Sequence, residues 1–393
     1  MINNKKYSPI SLKEFSEGFN HARFIYKNSI PPYNLYDETQ IEGIAENIIF
    51  FQNLDGGWAK NIDYQRIFTL EELKDIKRKT EVSKCIEYPN LTQSTLDNNN
   101  IFSQIRYLAN VYMQIPENRY IESAKRGILW ILNAQEPKTG GFTGSDCFAI
   151  TFNDNVMVNT LCLLNDIVKN QKLYSFIDEQ TRTLAKNAYY RGIDCILKTQ
   201  IKVTLDNGYK ILTAWCQQHS YENYAPVWAR EFEPPSICST ESKNVVKFLM
   251  KIKNPSHEIQ NAIISACEFF ERPELRICGK KLVKKPHNAE IMNGRYYDYE
   301  QVLVDDPSAP DLWARFYALD SSFDVKIGSR KTIQGTYPSV LKPIWCDRQY
   351  KYVKDFNSIS VERRNGYAYT TSSIKSLISI DFPEWKKKNG IIN

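Results

Sequence analysis

Apolar residues recur at helical spacing in seven separate stretches of the chain: Ile41–Phe51, Thr95–Met113, Tyr120–Ala134, Asn155–Val168, Ala185–Lys198, Ser242–Met250 and Glu258–Phe270. A stripe of this period predicts a helix that buries one face. Sustained period-two alternation is scarce, so the pattern predicts an all-α protein with long loops between its helices.

A weak repeat runs through these helices. One ends in FFQNLDGGW at Phe50–Trp58, a second in ILNAQEPKTGGF at Ile131–Phe142, and a third in CILKTQ at Cys195–Gln200, followed by NGYK. Gln52, Gln135 and Gln200 stand 83 and 65 residues apart, which leaves room for a helical hairpin and an insertion in each unit. Gly-Gly pairs stop a helix and turn the chain tightly. Helical hairpins with their loops on one side build an (α/α) toroid or barrel with a groove over one rim. An irregular helical bundle with coincidental glycine turns is the alternative that the pattern leaves open. From Leu275 onward the periodicity loosens, and NAEIMNGRYYDYEQVLVDDPSAP (Asn288–Pro310) reads as a long polar connection into DLWARFYAL (Asp311–Leu319). No Gly/Ser-rich linker interrupts the chain, so a single domain over 1–393 is expected.

Composition narrows the function classes. The 24 tyrosines and seven tryptophans are flat, amphipathic faces of the kind that stack on sugar rings or fill a core. The formal charge of +6 favours an acidic partner, yet no basic run resembles a nucleic-acid-binding tail. Nine cysteines form no CxxC pair and read as mostly buried free thiols. No apolar stretch reaches the length of a membrane span, and none of signal-peptide length follows the first residues. Membrane insertion is therefore not expected, and the segment that would direct export is not visible.

Several polar groups stand where chain and chemistry meet. Arg230, in VWAREFEPPSICS (Val227–Ser239), lies just before the Pro234-Pro235 pair, which sets a non-helical connection and presents the arginine towards a ligand. Asp97 and Asn98, in STLDNNNIFSQIRYLANVY, precede a helix, as Asp154 does in AITFNDNVMVNTLCLL. Each aspartate reads either as a helix cap or as an oxygen ligand for a hard divalent cation. No grouping of histidine and cysteine suggests zinc.

Taken with LTAWCQQH (Leu212–His219), the Arg230 block resembles the family 10 polysaccharide lyases, pectate lyases of all-helical fold. Further blocks follow the family order: DGGWAKNIDYQR (Asp55–Arg66), the Asp97 and Asp154 segments, PDLWARFYAL, VKIGSRKTI and SVERRNGYAYTTSS (Ser360–Ser373). Together they cover about Glu42 to Ser373. The resemblance implies β-elimination on α-1,4-linked polygalacturonate, giving 4,5-unsaturated products. It makes Arg230 the catalytic base and Arg315 and Arg330 ligands of substrate carboxylates. Lys60, Asn61, Arg364 and Tyr367 are implied as further substrate-binding groups. Asp97, Asn98 and Asp154 are implied as ligands of a Ca2+ ion shared with the substrate. The expected partner is an acidic polysaccharide met by a monomer, and the family suggests a secreted or cell-envelope location. The chain departs from the family pattern at Ala59, Phe142, Asn155 and Lys331-Thr332. Two other readings of the same residues are a degenerate uronate-binding protein and a glycoside hydrolase with Asp97 and Asp154 as its paired acids.

Overall fold

The computed structural model describes residues 7–26, 29–80, 93–144, 148–170, 172–292, 295–319, 323–327, 331–335 and 341–391. Its frame is helical: α1 (Ser16–Arg23), α2 (Ile41–Phe51), α3 (Leu70–Thr80), α4 (Phe102–Gln114), α5 (Asn118–Ala134), α6 (Val156–Lys169), α7 (Glu179–Thr199), α8 (Ser239–Leu249), α9 (His257–Glu271) and the short α10 (Val361–Gly366). All seven helices expected from periodicity are present. The pattern misses the short α1 and α10, and α3, whose apolar positions Leu70, Leu73 and Ile76 are too few for a sustained stripe and which buries no residue. Helix α4 begins at Phe102 rather than Thr95, because Asn98, Asn99 and Ile101 take left-handed backbones with φ of 53°, 59° and 70°. An α-helix cannot run through such residues.

Contacts divide the chain into two compact units, Met1–Phe148 with Asp154–Gly192, and Ala149–Asn153 with Ile193–Asn393. In the first unit α2, α4, α5 and α6 bury Ile44, Ile48, Ile105, Leu108, Ile128, Ile131, Leu161 and Leu164 completely. The second unit has α8 and α9 together with short strands and one long hairpin. Its three-stranded antiparallel sheet runs Thr370–Thr371, Leu312–Ala314, Arg276–Ile277, and Phe316–Tyr317 pairs with Ile237–Cys238. The expected polar connection after Leu275 is instead a long antiparallel hairpin, Lys280–Met292 with Arg295–Asp305. Its tyrosines and valines favour strand, but too few of its residues are buried for a continuous apolar face to show in the sequence.

The repeated glutamines have a physical role. Gln52 follows α2 in an extended conformation and is buried. Its Nε2 donates to the carbonyls of Gly56 (2.7 Å) and of Ser123 in α5 (2.9 Å), while its Oε1 accepts from Ser123 Oγ and Arg126. Gln135 repeats this after α5, donating to Gly140 O and to Ala188 O in α7, both at 2.8 Å, and accepting from Arg191. In the second unit Gln200 follows α7 and donates to Thr213 O (2.8 Å) and to Ala262 O in α9 (2.9 Å). The two N–H groups of each amide thus satisfy one carbonyl in the adjoining loop and one in another helix. Two indoles add to the clamp. Trp58 Nε1 donates to Ile48 O and Trp215 Nε1 to Ile196 O, each at 2.7 Å. Both carbonyls belong to a helix's last four, which have no backbone N–H partner within the helix.

Candidate active site

In the first unit, the DGGWAKN and TLDNNN loops are stitched together. Ala59 bridges Ser94, Thr95 N donates to Trp58 O (3.1 Å), and Asn100 Nδ2 donates to the carbonyls of Trp58 and Thr95. This brings Lys60 onto Asp97 in an ion pair whose carboxylate is almost wholly buried. Beside it Asn98 Nδ2 donates to Asn61 Oδ1 at 2.7 Å. Neither candidate aspartate is a helix cap: α4 is preceded by Ile101 and α6 by Asn155, and neither start has a side-chain cap. Asp154 lies in a short turn with φ of 49°.

Backbone strain concentrates on these loops. Of the 12 non-glycine residues with positive φ among the described residues, six are Asn61, Asn98, Asn99, Ile101, Asp154 and Asn155. Such conformations persist where surrounding bonds over-determine them and are common at functional sites. Here the neighbouring hydrogen bonds include Asn159 Nδ2 to Asn99 Oδ1 (2.8 Å) and Asn99 Nδ2 to Glu17 Oε2 (3.0 Å). Glu17, on α1, is a participant that the sequence does not reveal, because it precedes every family-like block. Burial pushes its carboxyl above the usual range, the charge of Asp97 pushes the same way, and Lys60 opposes both.

The donors in this group are carboxylate and amide oxygens, the type that suits a hard cation. Among the described residues, no three acidic, histidine or cysteine side chains converge on one point. Asp97, Asn98 and Asp154 each carry an oxygen of that type.

The second unit holds the arginines. Glu233, three residues after Arg230, has its side chain 1% exposed. Its carboxylate accepts from Arg230 Nε at 2.8 Å, Nη2 at 2.5 Å and the backbone N at 3.1 Å. The Arg230 guanidinium carbon lies 5.1 Å from the Phe232 ring centroid and 5.7 Å from that of Tyr367. Burial pushes Glu233 up, but its hydrogen bonds and charge contact with Arg230 outweigh that, and its carboxyl sits below the usual range. The pair is charge-assisted and bidentate, the geometry that fixes a guanidinium plane. Alongside, Glu231 accepts from Arg348 Nη1 and Gln349 N, both at 3.0 Å, which fastens a turn whose Gln349 and Tyr350 have φ near 60°.

Strand pairing places Arg315 deep in the same unit. Its N donates to Tyr369 O (2.7 Å), and Ser239 at the start of α8 donates to Arg315 O (2.9 Å). The guanidinium pairs with Glu241, donates to Asn153 Oδ1 (3.2 Å) and lies 4.4 Å from the Tyr367 ring centroid. Burial opposes its charge and Glu241 outweighs burial, so Arg315 stays protonated. Where the sequence leads one to expect a substrate carboxylate, an internal one is bound. Gln217 Nε2 closes the network, 3.0 Å from Asn153 Oδ1, 3.1 Å from Tyr367 Oη and 3.4 Å from Glu233 Oε1. Tyr367 Oη donates to Glu233 at 2.9 Å.

Arg364 is also buried and donates to Glu300 Oε2 at 2.7 Å. With Tyr367, Asn365, Leu282 and Gln301 it lines an open cleft of about 280 Å³. Tyr369 is 1% exposed within a core cluster and donates to Cys346 O. Arg330 lies outside the described residues. The sequence thus points to the cations but not to their anionic partners Glu233, Glu241 and Glu300. Glu233 stands inside the motif that singles out Arg230, and its spacing of three was the available signal.

The family model described as pectic acid lyase matches residues 52–336. Among solved structures, the family 10 polysaccharide lyase from Cellvibrio cellulosa shares the fold, with a TM-score of 0.63 at 23% identity over 98% of this chain and 99% of the other. An aspartate-to-alanine mutant of the family 10 polysaccharide lyase from the same organism, in complex with trigalacturonic acid, gives the same TM-score and identity over 97% of this chain and 99% of that one. Comparison with curated proteins finds no match.

Proposed function

Because the chain belongs to the pectic acid lyase family and is a polysaccharide lyase acting on pectate, we propose that Arg230 is the group that takes the C5 proton of a galacturonate unit. The observation that carries this assignment is the fixed position that buried Glu233 gives Arg230 through its bidentate hold; because that anion favours the protonated guanidinium, the base role requires the neutral form, reached at alkaline pH. A guanidinium fixed in plane and backed by aromatic rings is positioned before substrate arrives, which is how a proton-transfer group gains its advantage. Loss of the C5 proton and expulsion of the C4 glycosidic oxygen leave a 4,5-unsaturated uronide. The developing negative charge calls for fixed cations and donors.

Lys60 and Asn61 are read as the first unit's uronate-binding groups, and Arg330, Arg364 and Tyr367 as those of the second. Arg315 is read as shaping the second unit's network through Glu241 and Tyr367, with substrate contact a further part of the proposal. Asp97, Asn98 and Asp154 would hold a calcium ion, which supplies neutralising charge to the uronate carboxylate. The neighbour's complex with trigalacturonic acid supports an acidic oligosaccharide as ligand. The repeated glutamine clamps support an (α/α) toroid, and the whole chain is read as one catalytic domain acting as a monomer.

The test follows the ultraviolet absorbance of the unsaturated product with polygalacturonate as substrate. Arg230→Ala is expected to lower kcat by about 10³-fold, with Arg230→Lys recovering only part of it. Full activity in Arg230→Lys would remove Arg230 from the role of required base. Chelation followed by calcium addition tests the cation, and undiminished turnover in metal-free protein would end that part.

A further inference from the structure

The long hairpin of the second unit carries a group of residues that proton abstraction does not use. Its register sets Leu282 opposite Leu303 and Lys284 opposite Gln301, and residues paired across strands share a face. Leu282 and Gln301 line the open cleft of about 280 Å³, so Lys284 belongs to the cleft side of the hairpin. Lys284 is exposed, and its ammonium stands 4.0 Å from the Tyr299 ring centroid, an arrangement that orients the lysine without neutralising it.

The opposite wall is the segment from Arg364 to Thr370. The walls are tied together at their base: Asn365 Oδ1 accepts from Gln301 N (2.8 Å), and Asn365 Nδ2 donates to Tyr299 O (2.6 Å). The cleft is therefore built before any ligand arrives. Arg364, 6% exposed, gives one nitrogen to Glu300 and leaves its buried Nε without an acceptor. A buried donor of this kind is a local deficit of negative charge and of hydrogen-bond acceptors. The cleft also leads to the Arg230 network, because Tyr367 lines the one and hydrogen-bonds Glu233 in the other.

We propose that this cleft is an additional uronate subsite, taking a galacturonate unit of the same polysaccharide chain at a distance from the bond that is cleaved. Lys284 pairs with the carboxylate of that unit, and Leu282 and Tyr299 give apolar surface to its pyranose ring. The choice of ligand rests on the lyase reading. The site acts on chain binding and not on the chemical step.

The experiment compares the wild-type protein with Lys284→Ala and Tyr299→Ala on two substrates, polygalacturonate and trigalacturonate. On the polymer each variant is expected to raise KM about fivefold with kcat unchanged, while values on the trimer stay within twofold of wild type. Lys281→Ala, on the opposite face of the hairpin, serves as control and should match wild type on both. Equal losses on polymer and trimer, or no loss on the polymer, would overturn the subsite. Retardation in native gels containing polygalacturonate reads binding without turnover, so it separates the two ideas. A wild-type protein that binds but yields no unsaturated product fails the lyase reading. Lysine-dependent retardation in that protein would still uphold the subsite, and lysine-independent retardation would reject it.

Discussion

Single residues set the electrical character of this protein. Glu233 favours the protonated form of Arg230, since an anion on two of its nitrogens stabilises the cation. Glu233→Gln removes that bias, so the acidic limb of kcat/KM should move to lower pH, and the looser guanidinium should lower kcat. Glu233→Asp should restore part of the rate. A lower kcat with an unmoved limb would make Glu233 a packing residue alone. His219 makes a second pH-dependent demand. Fully buried, it offers Nε2 as acceptor to Cys216 N–H (3.0 Å) while Nδ1 faces Tyr224 O (2.8 Å), an arrangement that only the neutral ring can satisfy. Burial lowers its pKa from the usual 6.5 to about 4. Below the ordinary value the unfolded chain takes up a proton that the folded chain refuses, so stability falls with pH between those two values. The loss should total about 3 kcal/mol across that window. Chemical denaturation of wild type and His219→Gln between pH 7 and 4 checks this, and an equal slope in both would remove His219 as the cause.

At the scale of elements, the frame depends on how its helices end. Gly140 has φ +75°, and an added Cβ would lie 2.6 Å from Arg191 O. Gly140→Ala should therefore cost about 2 kcal/mol of stability, and Gln135→Leu, which removes the donor to buried Gly140 O and the acceptor of Arg191, about as much. Denaturant midpoints measure both, and an unshifted midpoint in the second would show that water replaces the amide. The helices themselves were legible because an apolar stripe of period 3.6 survives in sequence wherever a helix covers a core. What escaped were α3, which covers none, the short α1 and α10, which bury one residue each, and the long hairpin, whose side chains are mostly exposed. The start of α4 was misplaced for a different reason: a run of asparagines tolerates both a helix and the left-handed loop found at Asn98 and Asn99.

For the whole chain, legibility followed sequence distance. Motifs pointed to Lys60, Asp97, Arg230, Arg315 and Arg364, but Glu241 lies 74 residues from Arg315 and Glu300 64 from Arg364. No local pattern links them. Lys60, Arg230, Arg315 and Arg364 each have a carboxylate of the protein as partner, so attraction of a polyanion over distance falls to the chain's net charge of +6. Screening should weaken it. Raising ionic strength from about 0.01 M to about 0.1 M shortens the Debye length from about 30 Å to about 10 Å, and kcat/KM on polygalacturonate should fall through KM. An unchanged KM would show that binding is governed by short-range contacts alone.

The glutamine clamps also bear on how such a chain can diversify. Spans of 83 and 65 residues separate successive clamps, yet each amide closes on one loop carbonyl and one helix carbonyl. The anchoring points are therefore indifferent to how much polypeptide is spliced in between them. Insertions, deletions or grafted loops placed after a clamp should be inherited without redesign of the frame, leaving the segments that carry Asp97 and Asp154 free to be exchanged while the scaffold beneath them stays the same.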